Sequence, residues 1–239
     1  MEPQERWYAE TLPLEGQVVV DVGANVGRLS EFFYTAGRGT SRVISVEPLP
    51  ENVTEIRARI ARAGAGERWT VEACAVSSRE GEVVLQTGAS EGTPFNSVVV
   101  STPGPSLGAG RVRVPCRTLG SIAPDVTVVK IDIEGHEYAV LDEALPRLPG
   151  VRAWALELHM VPGRALSTTL QGFAERGFTL LGAGRRRSDP SGAWVSAEVS
   201  PAMEWDALPV AQRRPDGSVF KMFHVVAVRT KPGETGRHG

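Results

Sequence analysis

The sequence predicts an α/β fold, a mostly parallel sheet with helices on both faces, and three observations predict it. Short β-branched runs alternate with segments of helical spacing between residues 18 and 181, an order that right-handed crossovers fold into a parallel sheet. The first run, Val18-Val19-Val20, leads into a glycine-bearing turn, Asp21-Val22-Gly23-Ala24-Asn25-Val26-Gly27. A long apolar strand, Phe220 to Val228, comes last and is expected to be antiparallel.

The elements follow in order. Val18 to Val20 shows no polar alternation, as a strand buried on both faces should not. Arg28 to Ala36 places Leu29, Phe32 and Phe33 on one face, and Gly37 and Gly39 end the helix. Arg42 to Val46 is a second strand, Pro50 to Ala63 a second helix, and Trp69 to Ala73 a third strand. Glu82 to Thr87, Ser97 to Val100 and Arg111 to Pro115 alternate or run β-branched around a Gly-, Pro- and Ser-rich stretch, which marks an antiparallel excursion. The parallel pattern then resumes. It gives a strand over Val126 to Ile131, a helix over Tyr138 to Leu145 and a strand over Arg152 to Leu158. A helix over Thr168 to Arg176 and a strand over Phe178 to Leu181 complete it. The stretch from Gly182 to Ser218 is read as a lid insertion, and residues 232–239 as a disordered tail. Residues 1–231 are read as one domain, since 239 residues are ample for one core and short for two.

Composition narrows the function. The net charge is −2, with 41% hydrophobic and 23% charged residues, which describes a globular chain without the basic excess of a nucleic-acid binder. Cys74 and Cys116 form no CxxC pair and read as buried thiols in a reducing compartment. The first residues lack a secretory pattern and no apolar run approaches membrane-spanning length. A cytoplasmic protein with no membrane partner is the expectation.

The turn at 21–27 carries the cofactor reading. A helix that opens directly after a strand aims free backbone N–H groups and its positive dipole end at the cleft. Gly23 and Gly27 permit a tight turn and a close approach. Glu47 ends the second strand 20 residues after Gly27, where an acid accepts ribose hydroxyls. Together they specify an adenosine-containing ligand. A dinucleotide fingerprint wants glycine where Asn25 stands. The Asp21 carboxylate repels a pyrophosphate but suits the ammonium and sulfonium charges of S-adenosylmethionine. Ala75 and Val76, at the end of the third strand, are placed to cover the adenine, although a plain core role fits either residue nearly as well.

A second cluster lies at the next strand ends. Asp132, Glu134, His136 and Glu137 crowd the end of the fourth strand, and Glu157 and His159 end the fifth. Residues two apart on a strand share a face, so Asp132, Glu157 and His159 are expected to converge at the carboxyl edge where open α/β sheets bind ligands. Blander roles exist: Glu134 or Glu137 as a helix N-terminal acid, Lys130 as an ion-paired strand residue, and His136 as a surface residue.

Val20-Asp21-Val22-Gly23-Ala24-Asn25-Val26-Gly27, then Val46-Glu47-Pro48, then Asn96-Ser97, then Val129-Lys130-Ile131-Asp132-Ile133-Glu134-Gly135-His136-Glu137 resemble the FkbM-type methyltransferases. The resemblance covers roughly Val18 to His159. It implies the seven-stranded class I methyltransferase fold, Rossmann-like, and O-methylation of a sugar, polyketide or other natural product. It also implies that Asp21, Gly23, Asn25 and Gly27 hold the methionine part of the cofactor and Glu47 the ribose. By the same resemblance Asn96 and Ser97 lie near the cofactor and Asp132 near the transferable methyl.

Two ways of activating an acceptor hydroxyl stay open. In one, Asp132, Glu157 and His159 bind Mg²⁺, or Mn²⁺ given the histidine. Catechol-type methyltransferases, similar in architecture, place metal-binding acids at these two strand ends. In the other, His136 or His159 is the base and the acids orient it. Arg185-Arg186-Arg187, Trp194 and Trp205 could meet a small-molecule or saccharide acceptor, or be solvated loop, lid packing or a homodimer contact. Three rivals remain: an NAD-dependent oxidoreductase, a nucleic-acid methyltransferase and a silent cofactor-binding module. Asn25, the acidic net charge and the acid–histidine cluster, respectively, argue against them.

Overall fold

The computed structural model describes residues 3–87, 97–101, 110–161, 163–185, 194–201, 210–213 and 219–229. A helix, α1 (Pro3–Thr11), precedes β1 (Val18–Val22), α2 (Arg28–Ala36), β2 (Arg42–Val46), α3 (Pro50–Arg62) and β3 (Trp69–Glu72). β1 pairs in parallel with β2, and β2 with β3. A separate four-stranded sheet follows, made of β4 (Ala75–Val76), β5 (Gly81–Thr87), β6 (Ser97–Ser101) and β7 (Arg111–Arg117), in the order β4-β7-β5-β6. The chain then returns through α4 (Leu119–Ile122), β8 (Val128–Ile131), α5 (Glu137–Arg147), β9 (Ala153–His159) and α6 (Leu166–Ala174). It ends with β10 (Thr179–Arg185), β11 (Trp194–Glu198), β12 (Val210–Arg213) and β13 (Val219–Val228).

The main sheet has nine strands in the order β11-β10-β13-β9-β8-β1-β2-β3, with β12 also on β13. Its seven-stranded heart, β3-β2-β1-β8-β9-β13-β10, is parallel except for β13, which runs against both neighbours. This is the class I methyltransferase arrangement. The strand order reverses between β1 and β8, which opens a crevice at the carboxyl ends of the strands.

Both faces are covered, which is why the inner strands need no polar alternation. Val19, Val43, Val128 and Ala153 pack under Tyr8 of α1, Phe33 of α2 and Ile56 of α3. Val20, Val129, Trp154 and Leu156 pack under Leu141 of α5 and Phe173 of α6. No described helix is long and apolar enough to cross a membrane.

The structure departs from the expectations in three places. β3 stops at Glu72, and Ala75-Val76 leaves it to pair with β7 in the second sheet. α1 was not foreseen, because its apolar residues are few. The Gly182 to Ser218 insertion is not all loop: β10 runs on to Arg185, and β11 and β12 add to the sheet. Residues 186–193, 202–209 and 214–218 of it, with Arg186, Arg187 and Trp205, lie outside the described residues, as do Asn96 and residues 232–239.

Candidate active site

The cofactor turn is built around Gly23. Its φ is 75°, and a Cβ there would stand 1.9 Å from the Asp132 carbonyl oxygen. Only glycine lets β1 and β8 end so close together. Gly27, at φ 79°, is constrained from the other side: its Cβ would stand 2.9 Å from Ile56 Cγ1 and 3.5 Å from Trp69. Gly27 therefore seats α2 against α3 and β3, and it does not line the cleft.

Asp21 is placed differently from the expectation. Its carboxylate is fully buried. Oδ2 accepts from Ser30 Oγ at 2.6 Å, and Oδ1 pairs with Lys130 Nζ at 3.2 Å. Ser45 donates to Ser30, and Trp69 Nε1 to Ser45. The acid braces the turn from behind, since a buried carboxylate must spend its lone pairs on the donors around it. Lys130 Nζ also donates to the Gly23 carbonyl at 3.0 Å.

The cleft itself lies between the ends of β1, β2 and β8 and the second sheet. It holds ≈ 720 Å³ of empty space, counted out to open solvent. Gly23, Asn25, Glu47, Ala75 and Val76 line it, and Leu85 of β5 closes one wall. Glu47 accepts from the Asn25 backbone N–H at 2.9 Å through Oε2, and from the Leu49 N–H and Asn52 Nδ2, both at 3.1 Å, through Oε1. Burial pushes its carboxyl up, while those three donors and the Lys130 charge pull it down. Asn25, at φ 52°, has a buried Oδ1 with no partner among the described residues. An orphaned acceptor, a ribose-type acid and a glycine cradle fit a cationic amino-acid ligand carrying adenosine. Ser97 opens β6, and its side chain lies outside the described residues.

Of the second cluster, Asp132 and His159 come together with Glu137 in the place expected for Glu157. The turn from β8 to α5 puts Glu134 at φ 55° and Gly135 at φ 104°. Fully buried Glu137 holds that turn: Oε1 accepts from the Ile133 N–H at 3.1 Å and the Gly135 N–H at 3.0 Å. The same oxygen is 2.7 Å from His159 Nδ1. His159 Nε2 faces Glu134 at 3.6 Å and Glu157 at 3.9 Å. Donor atoms of Asp132, Glu137 and His159 all lie within 4.8 Å of one another.

The electrostatics sort the candidates. Burial alone lowers the His159 imidazole, but the hydrogen bond and charge of Glu137, with Asp132 and Glu134, raise it to about 9. Burial, then the Asp132 charge, pushes Glu157 up to about 8. Asp132 is also raised by burial, against the pull of Lys130 and His159. His136 lines the cleft with Nε2 3.1 Å from Ser77 Oγ, and burial lowers its pKa. Of the two histidines considered as bases, His136 is pushed toward the neutral form by burial, and His159 toward the imidazolium by Glu137.

Sequence reasoning missed two residues here. Tyr8 Oη sits 2.8 Å from the Leu156 carbonyl and 2.8 Å from His224 Nδ1, and His224 Nδ1 is 3.6 Å from Glu157 Oε2. Burial, then the His159 charge, pushes His224 down to about 3. A lone histidine inside the apolar run Met222-Phe223-His224-Val225-Val226 was the available signal.

Crevice, turn and acid-bearing strand ends are arranged as in the class I methyltransferase architecture. The FkbM methyltransferase domain matches residues 21–180, and the chain belongs to that family. Among solved structures, methyltransferase FkbM from Methylobacillus flagellatus KT is similar at 20% identity and TM-score 0.47, over 65% of this chain and 37% of that one. The chain thus spans little more than a third of that relative. A candidate tRNA methyltransferase from Streptococcus pneumoniae, solved in complex with S-adenosyl-L-methionine, is similar at 12% identity and TM-score 0.48, over 98% and 76% of the two chains. Precorrin-6y C5,15-methyltransferase from Geobacter metallireducens GS-15 is similar at 11% identity and TM-score 0.47, over 95% and 87%. No curated protein matches the chain in sequence.

Proposed function

We propose that the chain O-methylates a hydroxyl of a sugar or glycosylated natural product, with a divalent cation, Mg²⁺ or Mn²⁺, held by Asp132, Glu157 and His159. The orientation of His159 carries this reading. Its Nδ1 is tied to buried Glu137 at 2.7 Å, and its Nε2 is turned toward Glu157 and Glu134. A carboxylate behind one ring nitrogen is how a metal-binding imidazole is ordinarily fixed.

In this reading Glu47 takes the ribose hydroxyls, Asn25 Oδ1 the methionine ammonium, and Ala75, Val76 and Leu85 the adenine. S-adenosylmethionine brings the methyl group and its own leaving group, so the chain must align the acceptor and remove one proton. A cation held by Asp132, Glu157 and His159 would supply a Lewis acid to stabilise the alkoxide that a hydroxyl must approach to become a nucleophile. The hydroxyl proton would pass to His136, which lines the cleft and is held toward its neutral form by burial. A base without metal is the second reading, with His136 acting alone.

A panel of sugars, glycosylated polyketides, amines and transfer RNA, assayed for S-adenosylhomocysteine release with and without EDTA, tests both. Transfer to a hydroxyl that stops with EDTA and returns with Mg²⁺ is expected. Transfer that survives EDTA sinks the metal, and transfer to RNA or an amine sinks the acceptor class.

A further inference from the structure

α1 reaches the candidate site without lining the cofactor cleft. Its Tyr8 is buried, and the phenol oxygen stands between the Leu156 carbonyl on β9 and His224 Nδ1 on β13, 2.8 Å from each. A phenol has one proton. Given to the Leu156 carbonyl, it leaves the oxygen free to accept from His224, and both bonds form at once. That requires the His224 proton on Nδ1. The opposite assignment, with the phenol donating to Nδ1, loses the bond to Leu156.

The consequence falls on Glu157. β13 pairs with β9 so that His224 stands opposite Glu157, and His224 Nδ1 lies 3.6 Å from Glu157 Oε2. The other carboxylate oxygen, Oε1, faces His159 Nε2 at 3.9 Å. The Nδ1–H is spent on Tyr8 Oη, so Oε2 at 3.6 Å takes no hydrogen bond from it and meets only the field of a polarised N–H, whereas a bare Nδ1 presents a lone pair and repels a carboxylate. The state of His224 thus biases which way the carboxylate is held.

We infer that Tyr8 and His224 are positioning residues, which hold Glu157 oriented for the cation or acceptor bound beside His159. This rests on the proposed role of Glu157. It gives α1 a task besides covering the sheet.

Mn²⁺ alone is the probe, titrated into the full chain by electron paramagnetic resonance. Tyr8→Phe keeps the ring and removes only the oxygen, and is expected to weaken Mn²⁺ about 10-fold, the low end for a residue behind a ligand. His224→Asn puts an amide N–H where Nδ1–H was, by bond count, and is expected to bind within about threefold of wild type. His224→Gln matches the other ring nitrogen and is expected to bind as weakly as Tyr8→Phe. S-adenosylhomocysteine affinity is expected to stay the same in all three, which separates positioning from loss of fold. Equal Mn²⁺ affinity in wild type and Tyr8→Phe overturns the inference, as does equal weakening in His224→Asn and His224→Gln.

If Glu157→Gln binds Mn²⁺ as wild type does, or wild type binds none, the proposed metal site has failed instead. The ¹⁵N spectrum of the histidines then decides the inference separately. A His224 ring that carries its proton on Nε2 alone overturns it, and one protonated on Nδ1 that loses this preference in Tyr8→Phe sustains it.

Discussion

Lys130 Nζ donates to the Gly23 carbonyl at 3.0 Å, so the strand that ends in Asp132 is tied to the turn that faces the cofactor. The same ammonium is 3.2 Å from Asp21 and 3.8 Å from Asp132. Burial lowers its pKa, but Asp21, then Asp132 and Glu157, outweigh that and raise it, so the ammonium is charged at neutral pH.

Removing this cation strands a buried anion. Lys130→Met is expected to destabilise the fold by about 3–5 kcal/mol, because Asp21 keeps its desolvation cost and loses its partner. The Asp21→Asn, Lys130→Met double variant is expected to recover at least half of that, since the asparagine carbonyl still accepts from Ser30. Urea unfolding of the three proteins measures it. A double variant no more stable than Lys130→Met shows that the charge pair is not what the lysine contributes.

Gly23 and Gly27 share a left-handed backbone but not a neighbourhood. At Gly23 a methyl meets the Asp132 backbone at 1.9 Å, which cannot move without parting β1 from β8. At Gly27 it meets the tip of Ile56 at 2.9 Å, which can turn aside. Gly23→Ala is therefore expected to abolish the rise in Tm with S-adenosylhomocysteine. Gly27→Ala is expected to cost about 1–3 kcal/mol in strained φ and to retain the rise. The two variants behaving alike would contradict the placement of these residues.

Glu47 faces two ways, toward the cleft and toward three donors of its own loop. In Glu47→Gln an amide N–H must oppose one of those donors. S-adenosylhomocysteine affinity is expected to fall about 10- to 100-fold, roughly 1.4–2.8 kcal/mol for a charged acceptor lost. Isothermal titration calorimetry reads this directly. An affinity within a factor of two of wild type removes Glu47 from the cofactor site.

How much of this was legible beforehand follows from which interactions are local. The helix over Arg28 to Ala36 and the strand over Arg42 to Val46 were read to the residue, because caps and β-branched runs are written in adjacent positions. Alternation at strand ends alone pointed to Asp132 and His159 sharing one site, with Glu157 where the structure has Glu137. Glu137 was read as a member of the acidic cluster, with a helix N-terminal role as its blander alternative. Its hold on the preceding turn and on His159 depends on the left-handed backbone at Glu134 and Gly135, which the spacing does not encode. The buried pairing of Asp21 was not legible for a similar reason: its partners, Ser30 and Lys130, lie 9 and 109 residues off. Tyr8 and His224 are 216 residues apart, and no periodicity joins them.

Cys74 lines the cleft, and burial raises its thiol to about 11. At pH 8 that leaves roughly one thiolate per thousand thiols, against about one in four for a free cysteine. Iodoacetamide is expected to alkylate the native chain at least ~100-fold more slowly than the urea-unfolded chain, with S-adenosylhomocysteine slowing it further. Rapid labelling of Cys74 in the native state, located by peptide mass, would exclude a closed, apolar adenine wall.

The sharpest division of labour is between Asp132 and Glu137, five residues apart in the same turn. Asp132 keeps 30% of its side chain exposed, whereas Glu137 is wholly buried. Asp132→Asn keeps the shape and every backbone contact but removes the anionic oxygen proposed for the cation, so methyl transfer is expected to fall at least ~10²-fold. Its S-adenosylhomocysteine affinity and Tm are expected to stay near wild type. Glu137→Gln keeps one acceptor for Ile133, Gly135 and His159 but removes the charge that holds the imidazolium, so its first effect is expected on Tm. Transfer measured with labelled methyl donor, beside calorimetric unfolding, separates the two. If Asp132→Asn loses stability and keeps turnover, the chemistry lies elsewhere in the cleft, and His136 is the next residue to replace.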